Sequence, residues 1–154
     1  MERKIKIYLD TSVYGGFFDV EFAEHTKPLF ERIIKGEFEL VFSSLVQEEL
    51  STAPQVVKDL FSLIKPDFTQ FAETTDEVYE LANNYTIENV VGQTSFSDCL
   101  HIAIATIHKA DYLISWNFKH IVNVQRIKGY NAVNLKNGYS LLEIRSPREF
   151  SVFD

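Results

Sequence analysis

Apolar and polar residues alternate at the start of the chain, where Ile5, Ile7 and Leu9 are interleaved with Lys4, Lys6 and Tyr8. A period of two is that of a strand with one buried face. The strand is expected to stop at Asp10, because Asp10-Thr11-Ser12 supplies residue types that cap helices and shape turns. From Glu21 to Lys35 the period changes: Phe22, Leu29, Phe30, Ile33 and Ile34 fall close to a helical repeat, bent near Pro28, with Gly36 as the stop. Phe38 to Phe42 is a short apolar run broken only by Glu39, the pattern of a buried parallel strand. Ser43 or Ser44 can cap the following helix, which begins near Leu45 and carries Glu48 and Glu49.

Pro54 suits the first turn of a helix reaching about Ile64, closed by Lys65-Pro66-Asp67, and Phe68 to Ala72 reads as a weaker third strand. Thr74 or Thr75 caps a helix from Asp76 to about Tyr85, after which Asn83, Asn84, Asn89 and Gly92 mark irregular ground. Ser97 is the expected cap of a helix from Asp98 to His108, whose buried stripe is Leu100, Ala103, Ile104 and Ile107. Asp111 to Ser115 reads as the fourth strand and Trp116-Asn117-Phe118 as the loop after it. Beyond it the pattern weakens. Phe118 to Ile127 reads as a helix, Asn131 to Leu135 as a short strand, and the tail to Asp154 as a surface segment.

Strands alternating with helices predict an α/β domain with a mostly parallel sheet covered on both faces. One domain over residues 1–154 is expected, since that length buries a single core without disulfides or structural metal. Cys99 is the lone cysteine, so no intramolecular disulfide can form, and a reducing cytoplasm fits best. The apolar opening is too short for a signal peptide or membrane span. A net charge of −7 argues against a protein that coats nucleic acid through a basic surface. It leaves open nucleic-acid chemistry in which carboxylates reach phosphate through a divalent cation.

That possibility gains weight from position. In open α/β sheets ligands bind outside the carboxyl ends of the strands. Here those ends lead into Asp10, the Ser43 to Glu49 segment, and Ser115 to Asn117, while Asp98 opens a helix that can start at the same edge. Hard oxygen ligands that hold Mg²⁺ or Mn²⁺ would suit phosphodiester hydrolysis. Each residue also has a plainer role: Asp10 as a turn cap, Asp98 as a negative charge at a helix N-terminus, Glu49 as a solvated helix residue.

Four segments in this order resemble PIN-domain proteins, particularly the VapC-type ribonuclease toxins of toxin–antitoxin pairs. They are Ile7-Tyr8-Leu9-Asp10-Thr11-Ser12, Ser43 to Leu50, Ser97 to Ala105 with its Asp98-x-x-His101, and Ala110 to Ile121. The resemblance implies a three-layer sandwich with a central, mostly parallel sheet of four or five strands. It implies a metal-dependent endoribonuclease acting on RNA with Mg²⁺ or Mn²⁺, an antitoxin partner and a homodimer. By the same likeness Asp10, Glu49 and Asp98 are the metal-binding acids. The family's second acid precedes a leucine, which selects Glu49 over Glu48, two residues set about 100° apart on a helix. Where many relatives carry a fourth acid this chain has Asn117, an uncharged amide that could still ligate through its oxygen.

Other residues near these motifs keep two readings. His101 could join Asp98 as a ligand or pack beside the site, and Thr11 and Ser12 could orient Asp10 or merely form the turn. Lys119, His120, Arg126 and Lys128 could meet RNA phosphates or form a solvated face, and Trp116 and Phe118 could stack on bases. Two other functions compete with the nuclease. One is a non-catalytic PIN module that binds RNA or a protein. The other, a haloacid-dehalogenase-like phosphatase, needs a second aspartate where Ser12 stands.

Overall fold

The structure, a computed structural model, describes residues 3–88 and 95–151. Five parallel strands form one sheet in the order β3-β2-β1-β4-β5. They are β1 (Ile5–Leu9), β2 (Phe38–Ser43), β3 (Thr69–Ala72), β4 (Tyr112–Ile114) and β5 (Glu143–Arg145). β1 is central: Ile7 pairs with Leu40 on one side and with Tyr112 on the other. Ile7, Tyr8 and Leu9 are all fully buried. The alternation read from the sequence therefore marks a strand but not an exposed face, because helices cover both sides of a parallel sheet.

The chain first moves outward from β1 through α1 (Thr11–Gly16) and α2 (Ala23–Ile34) to β2, then through α3 (Ser44–Leu50) and α4 (Gln55–Ser62) to β3. It then returns by α5 (Asp76–Ile87) and α6 (Phe96–Ile107) to β4 on the far side of β1, and reaches β5 through α7 (Val124–Lys136). Right-handed crossovers running in opposite directions put their helices on opposite faces. Accordingly α5 packs on α6 and α7, whereas α2 packs on α1 and on α8 (Pro147–Phe150). The reversal places a topological switch point between β1 and β4, where Asp10 and Ser115 leave their strands. Among the described residues no helix is long and apolar enough to cross a membrane.

Several elements depart from the pattern-based reading. Asn83 and Asn84 lie inside α5, and Asn89 and Gly92 fall outside the described residues. Residues Asn131 to Leu135 are helical, within α7. Tyr130, Val133 and Asn134 form its buried face, and buried Asn134 accepts the Tyr85 hydroxyl while donating to Thr106 Oγ1 at 3.1 Å. A polar side chain thus occupies a core position that the apolar pattern could not mark. The expected helix from Phe118 starts only at Val124, where the Asn123 side chain accepts from the Arg126 N–H at 3.2 Å. The tail is not a surface segment either. β5 pairs with β4, a capping box at Ser146 and Glu149 starts α8, and Leu142, Ile144 and Phe150 are buried. Ser95, rather than Ser97, caps α6.

The turn from α2 into β2 depends on Gly36, whose φ of +83° lies in the left-handed region and whose Cβ would sit 2.5 Å from the Phe68 ring. Gly36→Ala should cost roughly 1–3 kcal/mol. It should lower the urea midpoint with an unchanged slope; an unaltered midpoint would show that the turn and ring yield freely.

Candidate active site

The sheet's central strand ends in a buried acid. Asp10 is 4% exposed, yet both oxygens are satisfied: Oδ1 accepts from Ser12 Oγ at 2.6 Å and Oδ2 from Ser115 Oγ at 2.7 Å. Each serine oxygen is itself held by a backbone N–H of the loop after β4, Ser12 by Trp116 at 3.0 Å and Ser115 by Asn117 at 2.9 Å. The hydroxyl hydrogens are thereby free to point at the carboxylate. Burial still dominates and holds Asp10 above the ordinary carboxylate range, against the pull of His101 and the two serines and with help from the negative charge of Asp98.

Glu49 enters from α3, which Ser43 caps by accepting the Val46 N–H at 3.0 Å. Glu48 is exposed and Glu49 is turned inward, as the helical angle between them requires. Its Oε1 accepts from Thr11 Oγ1 at 2.6 Å and His101 Nε2 at 2.7 Å, and its Oε2 from Ser97 Oγ at 2.8 Å. Burial would raise this carboxyl, but the hydrogen bonds from His101, Thr11 and Ser97 and the charge attraction to His101 outweigh it. They bring Glu49 down to about 2.

Asp98 sits in the first turn of α6, where the helix dipole favours an acid. Burial nonetheless raises it. His101 and His120 pull it down, Glu49 pushes it up, and an amide hydrogen bond from Asn117 lowers it. The Asn117 oxygen is engaged elsewhere, accepting the His120 backbone N–H at 2.9 Å. A backbone N–H can only donate, which fixes that atom as oxygen and leaves the NH₂ for Asp98. Asn117 therefore lies beside the acids as a donor.

The three acids thus lie at one edge of the sheet, with Asp98 within electrostatic reach of both Asp10 and Glu49. Each is tied to hydroxyl or amide donors, and among the described residues no three His, Cys, Asp or Glu side chains are gathered closely enough to hold a metal ion as they stand. The donor chemistry still suits a hard cation, being carboxylate and hydroxyl oxygen throughout. Added positive charge would also relieve the burial and repulsion that raise Asp10 and Asp98. His101 is 3% exposed, with Nδ1 2.6 Å from the Tyr8 hydroxyl and Nε2 on Glu49, so neither ring nitrogen is left to ligate.

Of the aromatic pair after β4, Trp116 is buried, stacked on Phe22 and donating its indole N–H to Thr26 at 2.9 Å, which removes it as a platform for bases. Phe118 stays 52% exposed. Lys119 and Lys128 are exposed, and His120 and Arg126 act electrostatically on Asp98 and Cys99. Sequence reasoning missed the tie of Tyr8 and Ser43 to the site. The available signal was Tyr8 itself, a phenol in the polar register of the central strand. A cleft of about 870 Å³ opens at the opposite edge of the sheet, beside Arg3, Lys109 and Tyr139, and none of the three acids lines it.

No family model matches the sequence, and no curated protein resembles it in sequence. Solved structures do match. A VapC toxin of Mycobacterium tuberculosis described as cleaving the sarcin-ricin loop superposes with a TM-score of 0.54 at 15% identity, over 73% of this chain and 91% of its own. A VapBC complex of Rickettsia felis, bound to DNA from its promoter, gives 0.57 at 14% identity over 91% and 98%. The chain has the PIN-domain fold. A tryptophanyl-tRNA synthetase of Campylobacter jejuni also superposes, at 0.55 and 13% identity over 92% of this chain and 54% of its own. The PIN-like sheet is therefore a framework shared by proteins of different activity, and the acids at its edge, not the framework, bear on function.

Opposite shifts give opposite expectations for two isosteric changes in EDTA-containing buffer. Asp98 is raised in the native state, so its charge penalises folding once it ionises. Asp98→Asn should therefore raise the thermal midpoint at neutral pH, the gain fading as pH falls below the native pKa. Glu49 is lowered from about 4.5 to about 2, so its contribution is present above 4.5 and lost as pH falls towards 2. Glu49→Gln should cost roughly 1–3 kcal/mol at pH 7 because it leaves buried donors without a charged acceptor. Equal effects of the two variants would refute this charge assignment.

Proposed function

We propose that the chain is a metal-dependent endoribonuclease, the toxin of a toxin–antitoxin pair, acting in the cytoplasm as a homodimer on single-stranded or looped RNA. The observation that carries the reading is the gathering of Asp10, Glu49 and Asp98 at the switch-point edge of a PIN-like sheet. Likeness in fold to a toxin described as cleaving the sarcin-ricin loop and to a VapBC complex supports the nucleic-acid substrate and the antitoxin partner. Asp10, Glu49 and Asp98 would hold Mg²⁺ or Mn²⁺, with Asn117 positioning Asp98. The cation, when bound, supplies an activated water and neutralises charge developing on phosphorus.

The remaining work falls to the chain. Ser12 and Ser115 hold Asp10 to one rotamer, and Thr11, Ser97 and His101 do the same for Glu49. Exposed Lys119 and Lys128 draw in the phosphate backbone, and the exposed ring of Phe118 offers a face on which a base stacks. One observation favours a second reading, a non-catalytic module that binds RNA or a protein: Asn117 replaces the fourth acid and its oxygen is committed to the His120 N–H.

Purified protein should cut RNA with loops or single strands in Mn²⁺ or Mg²⁺ and stop in EDTA. Asp10→Asn and Asp98→Asn should each slow cleavage by more than roughly 100-fold, beyond the usual cost of losing an outer partner. Undiminished cleavage by the double variant would trace the activity to a contaminant or another site. A parent without cleavage, together with an active Asn117→Asp, would favour the second reading.

A further inference from the structure

A relay of buried hydrogen bonds reaches Glu49 from the interior. The Val46 backbone N–H donates to Ser43 Oγ at 3.0 Å, Ser43 Oγ lies 2.9 Å from the Tyr8 hydroxyl, and that hydroxyl lies 2.6 Å from His101 Nδ1. His101 Nε2 completes the path at 2.7 Å from Glu49 Oε1. A carboxylate only accepts, so Nε2 carries hydrogen. Nδ1 lies on the Tyr8 hydroxyl and that hydroxyl on Ser43 Oγ, so every contact in the path can pair one donor with one acceptor. Ser43, Tyr8 and His101 are buried, whereas the Glu49 side chain is 34% exposed. The rigid end of the path therefore lies in the core and the end it restrains lies at the surface.

We propose that His101, seated by Tyr8 and Ser43, is a positioning residue that makes Glu49 a one-oxygen ligand for a divalent cation. The proposal rests on the metal-dependent reading above. An ionised carboxylate has about four acceptor positions. Thr11 and His101 take both on Oε1 and Ser97 takes one on Oε2, leaving one on Oε2. Oε2 is the oxygen held by Ser97, which precedes Asp98 in the first turn of α6, so the remaining position belongs to the oxygen bonded to that turn. Without His101, Oε1 regains an acceptor position and the side chain gains rotamers, and both effects weaken the selection of Oε2.

The test uses the full chain and Mn²⁺ alone, with free Mn²⁺ read by electron paramagnetic resonance. Tyr8→Phe and His101→Leu should each raise the Mn²⁺ dissociation constant by about 10- to 100-fold, the usual effect of removing the partner of a ligand. His101→Gln, whose amide can still donate to Glu49, should recover most of the affinity. In ¹⁵N-imidazole spectra of the parent, Nε2 of His101 should carry hydrogen, and Tyr8→Phe should shift the Nδ1 resonance. If His101→Leu does not fold, Tyr8→Phe decides, since it removes one hydroxyl and keeps the ring. Parent-like binding by Tyr8→Phe and His101→Leu would overturn the positioning role and leave the metal site standing. Binding by His101→Gln as weak as by His101→Leu would also overturn it. A parent that binds no Mn²⁺ at millimolar concentration would overturn both this proposal and the reading beneath it.

Discussion

A carboxylate buried at the end of the central strand must be satisfied, or the native state carries an uncompensated charge in its core. Asp10 imposes that demand at the place where β1 and β4 part. Its position requires hydroxyl donors on both sides, which Ser12 and Ser115 supply. Those hydroxyls are aimed because the loop after β4 gives each of them a backbone N–H, so the loop conformation, the α1 entry and the acid form one unit. Trp116 anchors the same loop by packing on Phe22 and bonding Thr26 of α2. Gly16 leaves space for that indole, since a Cβ there would come within 2.8 Å of its nitrogen.

The acids divide by environment. Asp10 and Asp98 are held above the ordinary range by burial, while Glu49, equally part of the edge, is held below it by three donors. Such a division arises when one group receives the hydrogen bonds and the others bear the desolvation and repulsion. Perturbed carboxyls gathered at a sheet's switch point are a recurring mark of function. The same sheet in a tRNA synthetase shows that the framework alone does not choose the chemistry.

The sequence was most informative where one physical period dominated. The first four strands and helices α2 to α6 carry repeats of two or 3.6, or sit between strong punctuators such as Gly36 and Pro54, and they appear within a few residues of expectation, whereas the short α1, read only as a turn after Asp10, has no such repeat. The placement of Glu49 over Glu48 followed from the resemblance and from helical angle. The failures share a cause: burial of polar residues and brevity of elements. Asn134 fills a core position and Asn131 bonds the Leu142 backbone, so a helix reads as broken polar ground. β5 offers only Glu143-Ile144-Arg145, with one buried residue to signal a strand. Tyr8 and Ser43 escaped notice because their part in the site depends on strand pairing, which no local pattern encodes.

The strand order has a bearing on how the protein is made. β1 is synthesised first and occupies the middle of the sheet, yet its partner β4 begins at Tyr112. Asp10, Glu49, Asp98 and Asn117 are spread along much of the sequence, and the second of the two serines that satisfy Asp10 arrives at position 115. A nascent chain cut short before β4 therefore lacks both the Ser115 donor to Asp10 and the strand that closes the switch point. Prematurely terminated products are thus built without the full set of side chains that meet at this edge of the sheet.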